Sequence, residues 1–452
     1  MKNVYLFILF FALCCNALFA QQRWDSASLN IQKLFPYNLR AVDEKVAWVI
    51  TLGGNFSTSP WYYVDTAHHF SRTADGGKSW SSGTYPSVGG GFAANIFPLS
   101  YDTAWVAHND YVLGGVLYRT FDGGETWTNR FSAPRGVVDW VHFWDKKNGT
   151  AVFDPDSLGF GIYKTTTSGV TWQRVASLPK PYLGEYAFSG NYATSGDVMV
   201  FPTNKGRIFR SNDCGQTWTV SSLLVPAEEP NDISCDDNGN CLLTSGNYTG
   251  RNPFTGRFHY SSDTGKTWRP RILNEYSGTA VEYIPGTSLA LAAVRENNSY
   301  LTGHFRLLLT ADHGLTWQVI DSTLRIKALS FMSRTSGLAT EYQNDDTESM
   351  IYYYIGSPLV GLWSREILRG GFEVSPNPVV SDNLHISLSG FETNDYRLLV
   401  NNVAGELVYA QNISFSEKQE LIVPVNNWQS GIYILTLTSN KGSVNRKVVK
   451  TH

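Results

Sequence analysis

An eight-residue segment returns six times along this chain, and nothing else in the sequence restricts the fold as much. The copies are 73–80 (TADGGKSW), 120–127 (TFDGGETW), 165–172 (TTTSGVTW), 211–218 (SNDCGQTW), 261–268 (SSDTGKTW) and 310–317 (TADHGLTW). Successive tryptophans are 47, 45, 46, 50 and 49 residues apart. A near-constant period of this length belongs to architectures in which each repeat is one supersecondary unit that buries its apolar face against its neighbours.

Each position in the segment has a physical role in a tight hairpin. The carboxylates of Asp75, Asp122, Asp213, Asp263 and Asp312 can accept hydrogen bonds from backbone amides of their own turn. The Gly two residues later supplies a positive φ, and the Ser or Thr two residues before Asp ties strand to turn. Trp80, Trp127, Trp172, Trp218, Trp268 and Trp317 are large enough to fold back into the gap beside the adjacent unit, burying roughly 150–250 Å² each. The third copy has Thr167 in place of Asp, so its turn is expected to lack the carboxylate brace.

Ahead of each copy the sequence carries three strand-like runs, clearest in 137–143, 150–153 and 161–165, and one run follows it. Aromatics make up 14% of the chain and there are 40 glycines, while apolar residues rarely recur at helical spacing, so the expected class is all-β. A seventh unit without the segment keeps strand-like runs at 326–331, 336–340 and 350–355, with Leu362, Trp363 and Ser364 as its fourth strand. The pattern therefore predicts seven four-stranded units, with six as the alternative count.

The segment resembles the Asp-box (BNR repeat) of sialidases, sortilin-type receptors, xyloglucan-degrading propellers and the photosystem II assembly factor family. That resemblance implies a β-propeller over 21–366 in which the box joins the third and fourth strands of each blade. Sialidase chemistry is disfavoured, because the Arg-Ile-Pro motif it requires is missing: Arg207-Ile208 runs into Phe209, and Arg271-Ile272 into Leu273. Xyloglucan-degrading enzymes of this kind pair two propellers, and this chain has room for one.

The termini read differently. Residues 1–20, with Lys2, an apolar run and small residues ending at Ala20, have the layout of a secretory signal peptide. No later stretch is long and apolar enough for a membrane helix, so no membrane span is expected. A formal net charge of −3 without any long Lys or Arg run makes nucleic acid an unlikely partner class. Cys235 and Cys241 flank the turn-forming DDNGN and are expected on facing strands, placed for a disulfide in an oxidising compartment.

Beyond a linker at 367–373, residues 374–452 lose the repeat and show six strand-like runs, which suit a small Ig-like β-sandwich. The opening Pro376-Asn377-Pro378, the turn 403–408, the strand 431–435 and the basic end Lys447 to Lys450 resemble the C-terminal sorting domain of type IX secretion cargo. The resemblance implies a secreted or cell-surface location and the type IX machinery as a partner.

The chemistry of the first region is less determined. The expected working face is formed by loops between second and third strands and between blades. Acids there, Asp154, Asp156 and Glu341, are candidates for a paired-carboxylate site. Trp61, Tyr62, Tyr63, His69, Tyr111, Trp140, Tyr248, Arg251, Arg295 and Tyr300 are candidate contacts for an extracellular glycan or protein. No metal motif and no phosphate cradle occurs, so no cofactor is expected. Three functions stay open: a non-catalytic binding module, a glycoside hydrolase or lyase, and an extracytoplasmic assembly factor.

Overall fold

A computed structural model describes residues 23–32, 34–53, 68–134, 136–223, 229–246, 257–272, 276–296, 304–341, 348–359, 366–367, 370–391, 394–402, 407–415, 418–438 and 442–451. Among these residues there is no helix, and the class is all-β. They divide at 360/361 into two compact units.

The first unit contains, among the described residues, seven four-stranded sheets. Sheet 1 runs Leu34–Ala41, Ala47–Gly53, His69–Thr73 and Ser81–Thr84, each strand antiparallel to the one before it. Sheets 2 to 6 repeat that order over 91–133, 138–174, 193–222, 229–272 and 276–321. Sheet 7 takes Ile326–Phe331, Gly337–Glu341 and Glu348–Tyr354, then completes itself with Trp24–Gln32 from the other end of the chain. The outer strand expected at Leu362, Trp363 and Ser364 is therefore supplied by the N-terminal segment; those three residues lie outside the described ones. Ladder hydrogen bonds are indifferent to distance in sequence, so a distant strand fills an edge as well as a local one.

First strands touch in order from sheet 1 to sheet 3 and from sheet 4 to sheet 7, and that of sheet 7 touches that of sheet 1. Sheets 3 and 4 join through the Gly190 amide, which donates to the Asp139 carbonyl at 2.9 Å. The apolar cores lie between consecutive sheets. Trp127 of sheet 2 packs on Trp48 and Phe70 of sheet 1, Trp172 on Trp105 of sheet 2, and Trp317 on Phe258 of sheet 5. Trp218 and Trp268 join clusters with Phe160 of sheet 3 and Val200 of sheet 4. Trp80 of sheet 1 completes the cycle by packing in a cluster with Leu338 and Ile351 of sheet 7.

The turns that carry these indoles share one hydrogen-bond pattern. In the first, Asp75 Oδ1 accepts the Ser79 amide at 3.0 Å, Oδ2 accepts the Ser79 hydroxyl at 2.6 Å, and Thr73 Oγ1 accepts the Gly77 amide at 3.1 Å. Asp122, Asp213, Asp263 and Asp312 repeat it. Thr167 does not leave its turn unbraced: its hydroxyl oxygen accepts the Thr171 amide at 2.9 Å and lies 2.8 Å from Thr171 Oγ1. The threonine hydroxyl thus replaces one carboxylate oxygen on the same partners, a substitution that the missing charge concealed. The following Gly is required twice over: Gly169 has φ +75°, and a Cβ there would lie 2.0 Å from Trp105 Cη2.

The first strands of six sheets, all but sheet 4, carry a bulge at an equivalent place, with Tyr37, Ala94, Asp139, Asn231, Thr279 and Lys327 as the extra residues. Side chains just past it clamp the next sheet's backbone. Asn38 Oδ1 accepts the Ile96 amide at 3.1 Å, Asn95 Oδ1 the Val141 amide at 3.0 Å, and Asp232 Oδ2 the Val281 amide at 2.9 Å. Asn231 Nδ2 donates to the Gly278 carbonyl at 2.7 Å, and Thr279 Oγ1 to that of Ile326 at 3.1 Å. These bonds satisfy backbone groups on the open edge of the next sheet's first strand.

The second unit has two sheets. Gly371–Ser375, Asn383–Ser389 and Lys418–Pro424 form a three-stranded sheet, and a five-stranded one runs Glu366–Ile367, Gly442–Lys450, Gly431–Thr438, Asn394–Asn402, Leu407–Phe415. Alternate residues such as Leu384, Ile386 and Leu388 enter a core shared with Leu398, Leu435 and Val448. Within the proline-rich opening, Asn377 accepts the Val449 amide at 3.0 Å and donates to the Lys447 carbonyl at 2.8 Å, binding the start of the unit to its last strand.

Candidate functional site

The end of the first unit where second strands turn into third strands is tied together by carboxylates. Asp110 ends a second strand and accepts the amides of Val88, Gly89, Val112 and Leu113 and the Ser87 hydroxyl. Burial opposes ionisation, yet these amides hold its carboxyl far below the usual range. Next to it Tyr111 is exposed.

The two candidate acids of sheet 3 part company. Asp156 faces Arg174 in a fork of two bonds, both 2.7 Å, and that guanidinium holds it ionised. Asp154 instead couples to Asp139, an acid that sequence reasoning passed over because it reads as one residue of a buried strand. Asp139 is 1% exposed, its Oδ2 has no hydrogen-bond partner, and burial followed by the Asp154 charge pushes its carboxyl well up. Asp154 is partly exposed and accepts the Ala187 amide at 3.1 Å; burial raises it to about 6. Burial also raises Glu341, against a hydrogen bond from Tyr352.

Ala187 belongs to the long connection between sheets 3 and 4, which is anchored from beneath. Glu185 accepts Arg207 Nη1 at 2.7 Å, Thr203 Oγ1 at 2.6 Å and the Tyr182 amide at 2.7 Å. Fixed in this way, the connection presents Tyr182 and Leu183 to solvent, Leu183 at 99% exposure, with Leu158 exposed on a turn of sheet 3. None of these three apolar side chains was singled out in the sequence, where they read as ordinary loop residues.

The candidate contacts separate into three groups. Tyr111 is exposed. Trp140 is wholly buried, stacked on Tyr192 at 5.2 Å and against Phe201 at 4.9 Å, so it is a core residue rather than a ligand contact. Arg295 is buried in its strand, and His69 is half-buried opposite Thr84. Trp61, Tyr62, Tyr63, Tyr248, Arg251 and Tyr300 lie outside the described residues. Cys235 and Cys241 face each other in adjacent strands and are joined by a disulfide.

The first strands also bring together charges that the sequence did not reveal as a group. Asp232, raised to about 6 by burial, is opposed by the amides of Val281 and Ile233 and then by Lys327 and Arg40. Glu282 is raised to about 8 by burial and by Asp232. Burial lowers Lys327. One signal was available: Arg40, Asp139, Asp232, Glu282 and Lys327 are all charged residues inside runs that otherwise read as the first strand of a repeat.

Residues 373–451 match the family described as the secretion system C-terminal sorting domain. The tail indicates a secreted or cell-surface protein exported by the type IX system and implies interaction with that machinery. Over 216 residues the chain is 24% identical to xyloglucanase Xgh74A of Acetivibrio thermocellus, covering 41% of this chain and 24% of the relative. The chain thus spans about a quarter of the length of that curated relative. Among solved structures, YCF48 bound to D1 peptide is matched over 75% of this chain and 99% of its own, at 15% identity and TM-score 0.52. YCF48 from Cyanidioschyzon merolae is matched over 74% and 98%, at 14% identity and TM-score 0.51. At these identities the likeness is one of fold, and the fold is a β-propeller.

Proposed function

We propose that this chain is a seven-bladed Asp-box propeller carried out of the cell by an Ig-like sorting sandwich and acting there as a non-catalytic binding module. Its ligand is an extracellular glycan or protein, held at the face where second strands turn into third strands. The observation that carries this reading is how the acids and apolar groups of that face are used. Asp110 is occupied by amides, Asp156 by Arg174 and Asp139 by its own burial, while Tyr111, Leu158, Tyr182 and Leu183 stand exposed on anchored turns. Exposed aromatic and apolar groups on fixed loops are suited to recognition. The D1 peptide held by YCF48 is a precedent, through fold alone, for a protein ligand.

A glycan array and pull-down from the cell envelope, both with the mature propeller, test the proposal. Tyr182→Ala combined with Leu183→Ala is expected to weaken capture at least about tenfold. Unchanged capture by that variant would remove the exposed patch from the ligand site.

One observation favours a second reading, glycoside hydrolysis. Asp154 is partly open and shares its environment with Asp139, so a proton held on the pair sits where a general acid would need it. The xyloglucanase relative is consistent with this. Release of reducing sugar from extracellular polysaccharides, lost in Asp154→Asn, would establish the hydrolase and displace the binding-only reading.

A further inference from the structure

We infer that Arg40 forms an axial binding site for a single small carboxylate, separate from the loop face. Arg40 lies three residues past the bulge of sheet 1, and the same place is taken by Phe97, His142, Ser234, Glu282 and Ser330 in five other sheets. The other polar members of this level are engaged. Ser234 accepts the Tyr283 amide at 3.0 Å and Ser330 that of Ala41 at 3.0 Å. Glu282 takes the Phe331 amide and the Ser234 hydroxyl, and His142 Nδ1 lies 3.3 Å from Tyr192 Oη.

Arg40 differs from them. Its guanidinium carbon is 5.4 Å from the Phe97 ring and 5.2 Å from the Tyr192 ring, so the side chain reaches from sheet 1 to the strand that opens sheet 4. It makes no hydrogen bond or ion pair with any described residue, and it remains half-buried. A guanidinium carries five donors in a planar fork and no acceptor. Two aromatic faces stabilise its charge but accept none of those protons in the plane. No described residue meets them, and a carboxylate, with two oxygens at matching spacing, is the acceptor that the fork fits.

The surrounding charges tune this site. Asp232 is held by the Val281 and Ile233 amides with Lys327 beside it, and Arg295 acts on Lys327 in turn. His142 is kept neutral by burial and by Arg40 itself. Tyr192 is kept protonated by burial. Asp232, at about 6, and Glu282, at about 8, are the groups here that change charge near neutral pH, and Glu282 is the one that does so above pH 7. A carboxylate at Arg40 therefore meets one negative charge fewer while Glu282 is protonated, and added repulsion once Glu282 ionises.

This site does not depend on what the loop face binds, and the experiment keeps the two apart. Calorimetric titration of the mature chain with sodium acetate and with glucuronate is expected to show one site per chain, weakening as pH rises through about 8. Arg40→Met should weaken binding at least about tenfold, and Glu282→Gln should remove the weakening near pH 8 while retaining binding. Absence of heat with both acids, or equal affinity in Arg40→Met, would overturn the proposal. If Arg40→Met fails to fold, identical pH profiles for the wild type and Glu282→Gln would overturn it. A glucuronate-terminated disaccharide separates two sources of the same group: binding equal to the monosaccharide supports a glycan end as ligand, and binding of the monosaccharide alone supports a free acid.

Discussion

The backbone amide of Ala41 donates to the Ser330 hydroxyl at 3.0 Å, a bond between residues 289 apart in sequence that joins the first sheet to the seventh. Ser330 belongs to the sheet that Trp24–Gln32 completes, so closure of the first unit rests on a side-chain clamp as well as on a borrowed outer strand. Ser330→Ala leaves a part-buried amide without its acceptor and is expected to cost about 1 kcal/mol. Urea unfolding followed by fluorescence should show a lower midpoint with an unchanged slope; a midpoint equal to wild type would mean that the clamp contributes nothing to closure.

Asp139 supplies a pH test. Its carboxyl is raised by burial, and Asp154 beside it is raised to about 6, so the folded chain binds more protons than the unfolded one above about pH 4. Stability attributable to the pair is therefore greatest at low pH and falls as pH rises through the raised values. Asp139→Asn keeps the shape and removes the charge, and should stabilise by about 1–3 kcal/mol at neutral pH. The gain should shrink toward pH ~4, where the acid is protonated in both states. Melting curves at several pH values check the sign.

Thr167 offers a gain of a different kind. Its hydroxyl already accepts the Thr171 amide, and a carboxylate would add the second oxygen that the other five turns use on the equivalent side chain. Thr167→Asp is expected to raise the melting temperature on the order of 2 °C. A fall would show that the turn has adapted to the neutral residue.

Two glycines separate backbone strain from packing. Gly196 has φ +55° with nothing within 4 Å of an added Cβ, whereas at Gly169, φ +75°, that atom would meet Trp105 at 2.0 Å. Gly196→Ala should cost about 1–2 kcal/mol, the left-handed penalty alone. Gly169→Ala should cost more by about 1–3 kcal/mol of overpacking. Equal losses in parallel denaturation curves would contradict the tight seat of that turn on the preceding sheet.

Processing is open to mass spectrometry of the exported protein. Removal of both targeting segments should leave a mature chain with termini near Gln21 and before Pro376. A secreted product that retains residues 374–452 would show that the sorting unit stays attached.

The repeat was legible because its requirements are local. An Asp, a Gly at positive φ and a Trp at fixed offsets build each turn from neighbours in sequence, and six copies announce stacked sheets. The tail was legible for the same reason, through Pro376 to Pro378 and the final strands. The grouping of acids was not. Asp154 and Asp156 are two residues apart, which in a regular strand would put both on one face, but the pairing shifts register between Phe153 and Asp156, and Asp156 met Arg174 while Asp154 met Asp139 from the neighbouring strand. Trp140 looked like a contact because it is aromatic and near a predicted loop, but its place on a first strand puts it between two sheets.

The sequence by itself determined the unit of construction, its period and the nature of the tail, since short-range turn chemistry and strand alternation are written in adjacent residues. Tertiary structure alone decided which strand closes the last sheet, which carboxylates are raised by burial and where Arg40 comes to lie. Those depend on sheets brought side by side from distant parts of the chain, and on the loss of water there, which shifts a buried acid in a way that no spacing along the chain encodes.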